Sequence, residues 1–449
     1  MSTYGILSLE SSDICLKLDL AIMQVENLPF IRHFTWRLAV CSILMSLSVF
    51  NFGMENVAYS TIQAMDRSFQ RRFGSYNPKT HKHFFTATQL SLLNSLPRIT
   101  FAAGVVLGGF TGESFGRRLV IFLMLFICLI GVIISYCAKS YAQVLAGCLL
   151  VQGYAGMEGY VVPMFQAEIA PASVRGAVVI SYIFNHVFGS VIMSCITYRT
   201  SRLEIDYNWN IPIAVISNPD YAPEVDLALM KESLAMEVEK GSWRDIVRGT
   251  NLRRTTIVVI VQCLNQLTGQ AFATQYGVVF IRTLGTIDPY KFTLISHAIH
   301  VLGPLLTFFL VGRIGRRRMY LIFSSLCSAT LTTISGLGLG IVNFQQEAGI
   351  VAMTILYSFF FSFSFGGMGP GTGSKIPVLR LLDKSAVVGW LFQNIFAFVV
   401  SFTVPYLIDI DYGNLHLKLG FVYGTIGFLG LMWAYFYFPE LMGRPLEES

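Results

Sequence analysis

The chain has 449 residues, a mean hydropathy of +0.59 and only 13% charged residues. Soluble domains carry about 25% charged residues, so lipid is the expected solvent for most of this chain. The net charge of +6 is scattered through short loops, with no basic tract suited to nucleic acid.

Residues 1–33 mix charges with short apolar stretches and lack the pattern of a cleaved signal peptide, so they read as a cytoplasmic tail. A bilayer core needs about 20 apolar residues per helix. Five candidate spans follow, Trp36–Gly53, Thr88–Gly109, Leu119–Ala138, Val144–Pro163 and Ala177–Thr197, forming a first bundle over residues 34–198. A polar stretch, residues 199–254, holds most of the acidic residues and the short apolar fragment Trp209–Ile216. Six more spans, Thr255–Ile281, Phe292–Val311, Met319–Val342, Ala348–Met368, Ala386–Ile408 and Leu419–Phe438, make a second bundle over residues 255–438, before a tail at residues 439–449. The eight cysteines lie mostly inside these runs without CxxC or CxxxH spacing, so they read as packing residues. No nucleophile–base or metal-ligand spacing stands out, and neither an enzyme nor a cofactor is expected.

The two halves echo each other. Gly112-Glu-Ser-Phe-Gly-Arg-Arg118 separates the second and third spans, and Gly312-Arg-Ile-Gly-Arg-Arg-Arg318 separates the matching pair later. Such duplication is common in transporters. Both arginine clusters are expected on the cytoplasmic side, yet the five spans counted between them would put them on opposite sides. A sixth crossing after Trp209–Ile216 would restore agreement, so a truncated sixth span is expected there.

Five motif regions now carry a resemblance. They are Gly116-Arg-Arg118, Pro163-Met-Phe-Gln-Ala-Glu168 with Pro171-Ala-Ser-Val-Arg-Gly176, Gln266-Leu-Thr-Gly269-Gln270-Ala-Phe272 with Tyr276, Gly315-Arg-Arg317, and Pro439-Glu440-x-x-Gly443-Arg444. As an ordered set, the chain resembles the fungal hexose and α-glucoside (maltose permease-like) sugar porters of the major facilitator superfamily. The resemblance implies an all-α polytopic fold of two six-helix bundles, of which about 11 spans are recognisable here, and a multi-pass place in the plasma membrane. It also implies a small-molecule sugar and a proton as partners, in a chain working as a monomer within the lipid bilayer.

Arginines at helix ends can bond the last carbonyls and carboxylates of neighbouring helices. The resemblance makes Glu113, Arg117, Arg118, Glu168, Arg175, Arg316, Arg317 and Glu440 candidates for a conformational latch. Against this stands the plainer view that they only set topology. Several family positions differ: Gly312, Cys148, Asn210 and Leu382 stand where charged residues are expected, and Lys375 where a glutamate is.

Sugars need amide partners and an aromatic wall. The span from Thr255 onward carries Gln262, Asn265, Gln266 and Gln270, the first three able to share one helix face. By resemblance Asn265 and Gln266 stand where relatives have paired sugar-binding glutamines, and His300 where many have an asparagine; Gln393 and Asn394 are further candidates. The alternative for the amides is helix-to-helix bonding. Intramembrane charges are functional candidates by default. By resemblance Glu55 is the candidate proton carrier; Arg98, in mid-span where relatives are apolar, is either its partner or that of Glu158, partly replacing the cation lost at Cys148, or a destabilising drift mutation. The leading function is sugar transport by proton symport; a non-transporting sensor and an inactive truncated porter are the alternatives.

Overall fold

The computed structural model describes residues 36–77, 82–169, 175–203, 209–216, 242–271, 287–340, 343–366, 376, 381–409, 412–413 and 415–439. Its long helices are α1 (Trp36–Ile62), α2 (Ala87–Ser114), α3 (Arg117–Tyr136), α4 (Tyr141–Ile169) and α5 (Arg175–Thr200) in the first half. A seven-residue helix, α6 (Asn210–Ile216), follows. The second half has α7 (Thr250–Leu267), α8 (Pro289–Ile314), α9 (Arg316–Leu337), α10 (Phe344–Phe363), α11 (Leu382–Ile408) and α12 (Leu419–Tyr437). Among the described residues six helical segments, from Ala87–Gly112 to His416–Tyr437, have mean hydropathies of 1.3 to 3.0 and the length to cross a membrane.

The pattern on α3 shows how lipid shapes these helices. Leu119, Phe122, Phe126, Leu129, Ile133 and Tyr136 recur at steps of three and four and are all exposed. Val120, Met124, Cys128 and Val132, on the other side, are buried. A helix apolar all round is stable only where its outer face meets hydrocarbon.

The first span proves longer than its apolar run suggested. Helix α1 continues past Gly53 to Ile62, so Glu55 lies inside the helix, fully buried, rather than at its end. Neighbouring helices cover this segment, and an intact backbone ladder satisfies its amides better than a loop would. A two-stranded hairpin, β1 (Ser75–Asn77) with β2 (Lys82–Phe84), then leads to α2. Thr86 caps α2 through the Gln89 backbone amide, and the Gln89 side chain returns to the Thr86 amide at 3.1 Å.

Both arginine turns have one backbone solution. Gly116 precedes α3 at φ 81°, ψ 160°, and Gly315 precedes α9 at φ 85°, ψ 152°. This region is open to glycine and strained for any residue with a β-carbon, by about 1–3 kcal/mol. Gly315→Ala is therefore expected to lower the melting temperature of the purified protein, although nothing lies within 4 Å of the added carbon at the equivalent Gly116. An unchanged melting curve would show that the turn can relax.

The halves pack on each other through two helix pairs, α2 with α11 and α5 with α8. Ser91 Oγ donates to the Phe402 carbonyl at 2.7 Å and Tyr406 meets Thr88 at 3.3 Å, while further along Gly109 faces Val387; α2 and α11 are antiparallel. Ser194 meets His297 at 3.0 Å and Arg202 meets Asp288 at 3.7 Å, so α5 and α8 are antiparallel too.

These directions settle where the arginine turns lie. Gly104 faces Gly153 and Gly108 faces Met157, making α2 and α4 parallel. The ends of α2 and α4 and the start of α5 thus share a face, and α8 ends on that face as well. The turns at Gly116 and Gly315 therefore lie on the same side of the bundle. Helix α7 runs parallel to α11, since Thr255 meets Ser385 and Val258 faces Gly389, so α7 also starts there. Helix α5 ends on the opposite side. Trp209 anchors the start of α6 on that opposite side, edge-on to Phe69 and Phe73 at 5.5 and 5.3 Å. The seven residues of α6 span about 10 Å of a core about 30 Å thick. Residues 217–241 lie outside the described residues.

Candidate functional site

Three amides of α7 are buried: Gln262, Asn265 and Gln266, at 2%, 7% and 7% exposure. They are not equivalent. Asn265 Nδ2 donates to the Phe365 carbonyl at 2.8 Å, just past the end of α10, and its Oδ1 accepts from Gln266 Nε2 at 3.0 Å. Asn265 is thus occupied in holding two helices together. Gln266 keeps Oε1 without a hydrogen-bond partner among the described residues, and the Gln262 amide has none there either. The left-handed Gly269, at φ 86°, ends α7 just before the half-buried Gln270.

Helix α11 supplies the facing wall. Gly389 lets α7 come close, its missing β-carbon leaving room for Val258 and the Gln262 stem. One turn on, Gln393 is 8% exposed and its Oε1 lacks a partner among the described residues. Asn394 Nδ2 caps the Trp390 carbonyl at 2.8 Å. Trp390 in turn faces Phe101 of α2 across the boundary between halves, centroids 5.9 Å apart. The α7–α11 surface therefore has uncommitted amide groups near an aromatic pair, a combination that suits a ligand with hydroxyls on its edge and carbon on its face.

His300 lies on α8, on the side that faces α5. It lies in electrostatic reach of His297 and of His186 on α5. His186 meets Asn56 of α1 at 3.2 Å, and His297 Nδ1 meets Ser194 Oγ. Ser194 gives its only hydroxyl proton to the Ser190 carbonyl at 2.7 Å, so His297 is the donor in that contact. Sequence inspection singled out His300 but not His186, His297 or Trp390; His186 and His297, polar residues inside apolar spans, were the available signal.

Of the intramembrane charges, Glu55 is fully buried and its Oε1 accepts from Cys128 Sγ at 3.5 Å. Arg98 is half-buried and, with Asn394, lines an apolar groove between α2 and α11. Cys148 stands in electrostatic reach of both Glu55 and Arg98. Among the latch candidates, Arg317 Nη2 donates to the Tyr435 carbonyl in the last turn of α12 at 2.6 Å, and Arg316 is half-buried beside it in sequence. The side chains of Glu113, Arg117, Arg118, Glu168 and Arg175, and all of Glu440, lie outside the described residues.

Comparison with known proteins gives this arrangement a family. Hexose transporter HXT13 of Saccharomyces cerevisiae is 22% identical over 445 residues, covering 85% of this chain and 76% of that protein. The high-affinity glucose transporter ght2 of Schizosaccharomyces pombe is 23% identical over 462 residues, covering 91% and 86%. Among solved structures, the proton:xylose symporter XylE superposes with a TM-score of 0.72 at 18% identity over 92% of this chain and 98% of that one. Its inward-open form from E. coli gives a TM-score of 0.68 at 16% identity, with the same coverage. The fold is that of the major facilitator superfamily, two packed helical bundles. The family described as "Sugar (and other) transporter" matches residues 40–222 and 217–449, nearly the whole chain, and the protein belongs to it.

Proposed function

We propose that this protein carries a hexose or α-glucoside across the plasma membrane by alternating access, with proton symport, as a monomer. The observation that carries the reading is the set of buried, uncommitted amide groups of Gln262, Gln266 and Gln393 where α7 faces α11, close to Trp390 and Phe101. Asn394, Gln270 and His300 complete the proposed sugar site, and Asn265 supports it by fixing Gln266. Glu55 is the proposed proton carrier, with Arg98 standing in for the cation that Cys148 replaces. The turn-side charges, Glu113, Arg117, Arg118, Glu168, Arg175, Arg316, Arg317 and Glu440, form the proposed latch on the cytoplasmic face, its model being the Arg317 bond to α12. Rocking of one bundle against the other would make and break such bonds. The proposed bundles span residues 34–198 and 255–438, between tails at 1–33 and 439–449 and around a central segment at 199–254.

A specific observation favours a second reading. The span count read from the sequence leaves the sixth crossing short after Trp209–Ile216, seven residues of which form α6 among the described residues, so the sixth span is proposed to be truncated and the porter inactive. Uptake of labelled glucose and maltose into transporter-null yeast, at acid and neutral pH, decides between them. Saturable uptake, stimulated at acid pH and with that stimulation lost in Glu55→Gln, is the expected result. Protein at the cell surface with no uptake would favour the truncated, inactive form.

A further inference from the structure

A second carboxylate besides Glu55 is buried inside the first half. Glu158 of α4 is 0% exposed, as is Glu55, and the Glu158 charge acts on Glu55. Glu158 Oε2 accepts from the Tyr182 hydroxyl of α5 at 3.5 Å. Among the described residues, the remaining oxygens, Glu55 Oε2 and Glu158 Oε1, are buried with no hydrogen-bond partner. Around the pair stand Tyr59 of α1, Cys128 of α3, Cys148 and Tyr154 of α4 and Tyr182 of α5, with Arg98 of α2 in reach of Cys148. Two carboxylates enclosed this way inside a membrane protein are a candidate proton site.

We propose that Glu158 is a second proton-binding residue, paired with Glu55, and that Tyr182 carries the state of the pair to the boundary between the halves. A proton from hydronium on one side bonds to a vacant carboxylate oxygen and leaves a water molecule; on the other side it passes to water and hydronium forms again. Tyr182 donates to Glu158 and sits on the α5 face that continues, four residues at a time, through His186, Ser190 and Ser194. Ser190 Oγ bonds the His186 carbonyl at 3.0 Å, Ser194 Oγ bonds the Ser190 carbonyl, and Ser194 meets His297 of α8. A change at Glu158 therefore has a single helix face along which to reach the contact between halves. The inference deepens the proton-symport reading and rests on it only for coupling to sugar.

Infrared spectroscopy of the full-length protein in liposomes tests the pair without sugar, through the carbonyl band of protonated carboxylic acids during a pH titration. The expected result is two titrating components, one lost in E55Q and the other in E158Q, with Y182F shifting the component that E158Q removes. A band unchanged in E158Q would overturn the proposal. Should E158Q fail to elute as folded protein, E158D takes its place, and a shifted component supports the pair while an unshifted one overturns it. Yeast uptake adds the coupling: E158Q is expected to lose acid stimulation, and retained stimulation would overturn Glu158 as a coupling residue. A wild-type protein with both components but no uptake would refute transport and leave the proton pair standing.

Discussion

Gln266→Ala is expected to weaken sugar uptake about 10- to 100-fold, the loss that goes with removing one or two hydrogen bonds to a bound polar ligand. The protein level and melting temperature should change little, because Gln266 gives the fold a single bond, to the neighbouring Asn265 at 3.0 Å. Asn265→Ala should behave differently. It removes the 2.8 Å bond to the Phe365 carbonyl and leaves that carbonyl without its amide donor, at a cost of about 1–3 kcal/mol in stability. The two neighbours thus separate a ligand contact from a packing contact. Measuring apparent KM beside melting temperature for both variants makes the distinction. If Gln266→Ala lowers the melting temperature as much as Asn265→Ala while leaving KM unchanged, the α7 amides serve helix packing and the sugar site lies elsewhere.

The fold was legible because lipid imposes a simple code. Among the described residues each of the eleven apolar runs overlaps a long helix, and the paired Gly-Arg-Arg turns marked the repeat that Gly116 and Gly315 realise with one backbone conformation. Ends were less legible. The first span was expected to end at Gly53, just before the charge of Glu55, but α1 continues as its neighbours shield that segment from lipid. The α7 amides could be listed from sequence, yet nothing in a one-dimensional pattern separates Asn265, bonded to Phe365, from Gln266, whose oxygen is uncommitted. That difference depends on where α10 ends. The histidines on α5 and α8 were illegible for a similar reason, since His186 and His297 come together only through pairing of helices from opposite halves.

Gly156→Leu is expected to abolish the folded protein, as a loss of the monodisperse peak in detergent size-exclusion chromatography. A β-carbon at Gly156 would overlap the Phe101 carbonyl and the α2 backbone around it. Backbone within a helix cannot swing aside as a side chain can, so α2 and α4 would have to separate along their length. Overpacking a core typically costs about 1–3 kcal/mol, and a clash with backbone exceeds that range. Two other glycines provide the contrast. A β-carbon on Gly109 would meet Val387 Cγ2 at 3.4 Å, an ordinary contact, so Gly109→Ala should be nearly neutral. At Gly336, inside α9, the added carbon would meet nothing within 4 Å, and Gly336→Ala should stabilise by about 0.5–1 kcal/mol through lower backbone entropy in the unfolded chain. The Phe101 whose backbone Gly156 receives also carries the ring that faces Trp390 across the two halves. The close α2–α4 crossing therefore sets the position of the aromatic pair beside the proposed sugar site. Gly156→Ala, the smaller step, should accordingly reduce uptake in whatever fraction of the protein still folds; normal folding with normal uptake would mean that α2 is free to shift without moving that site.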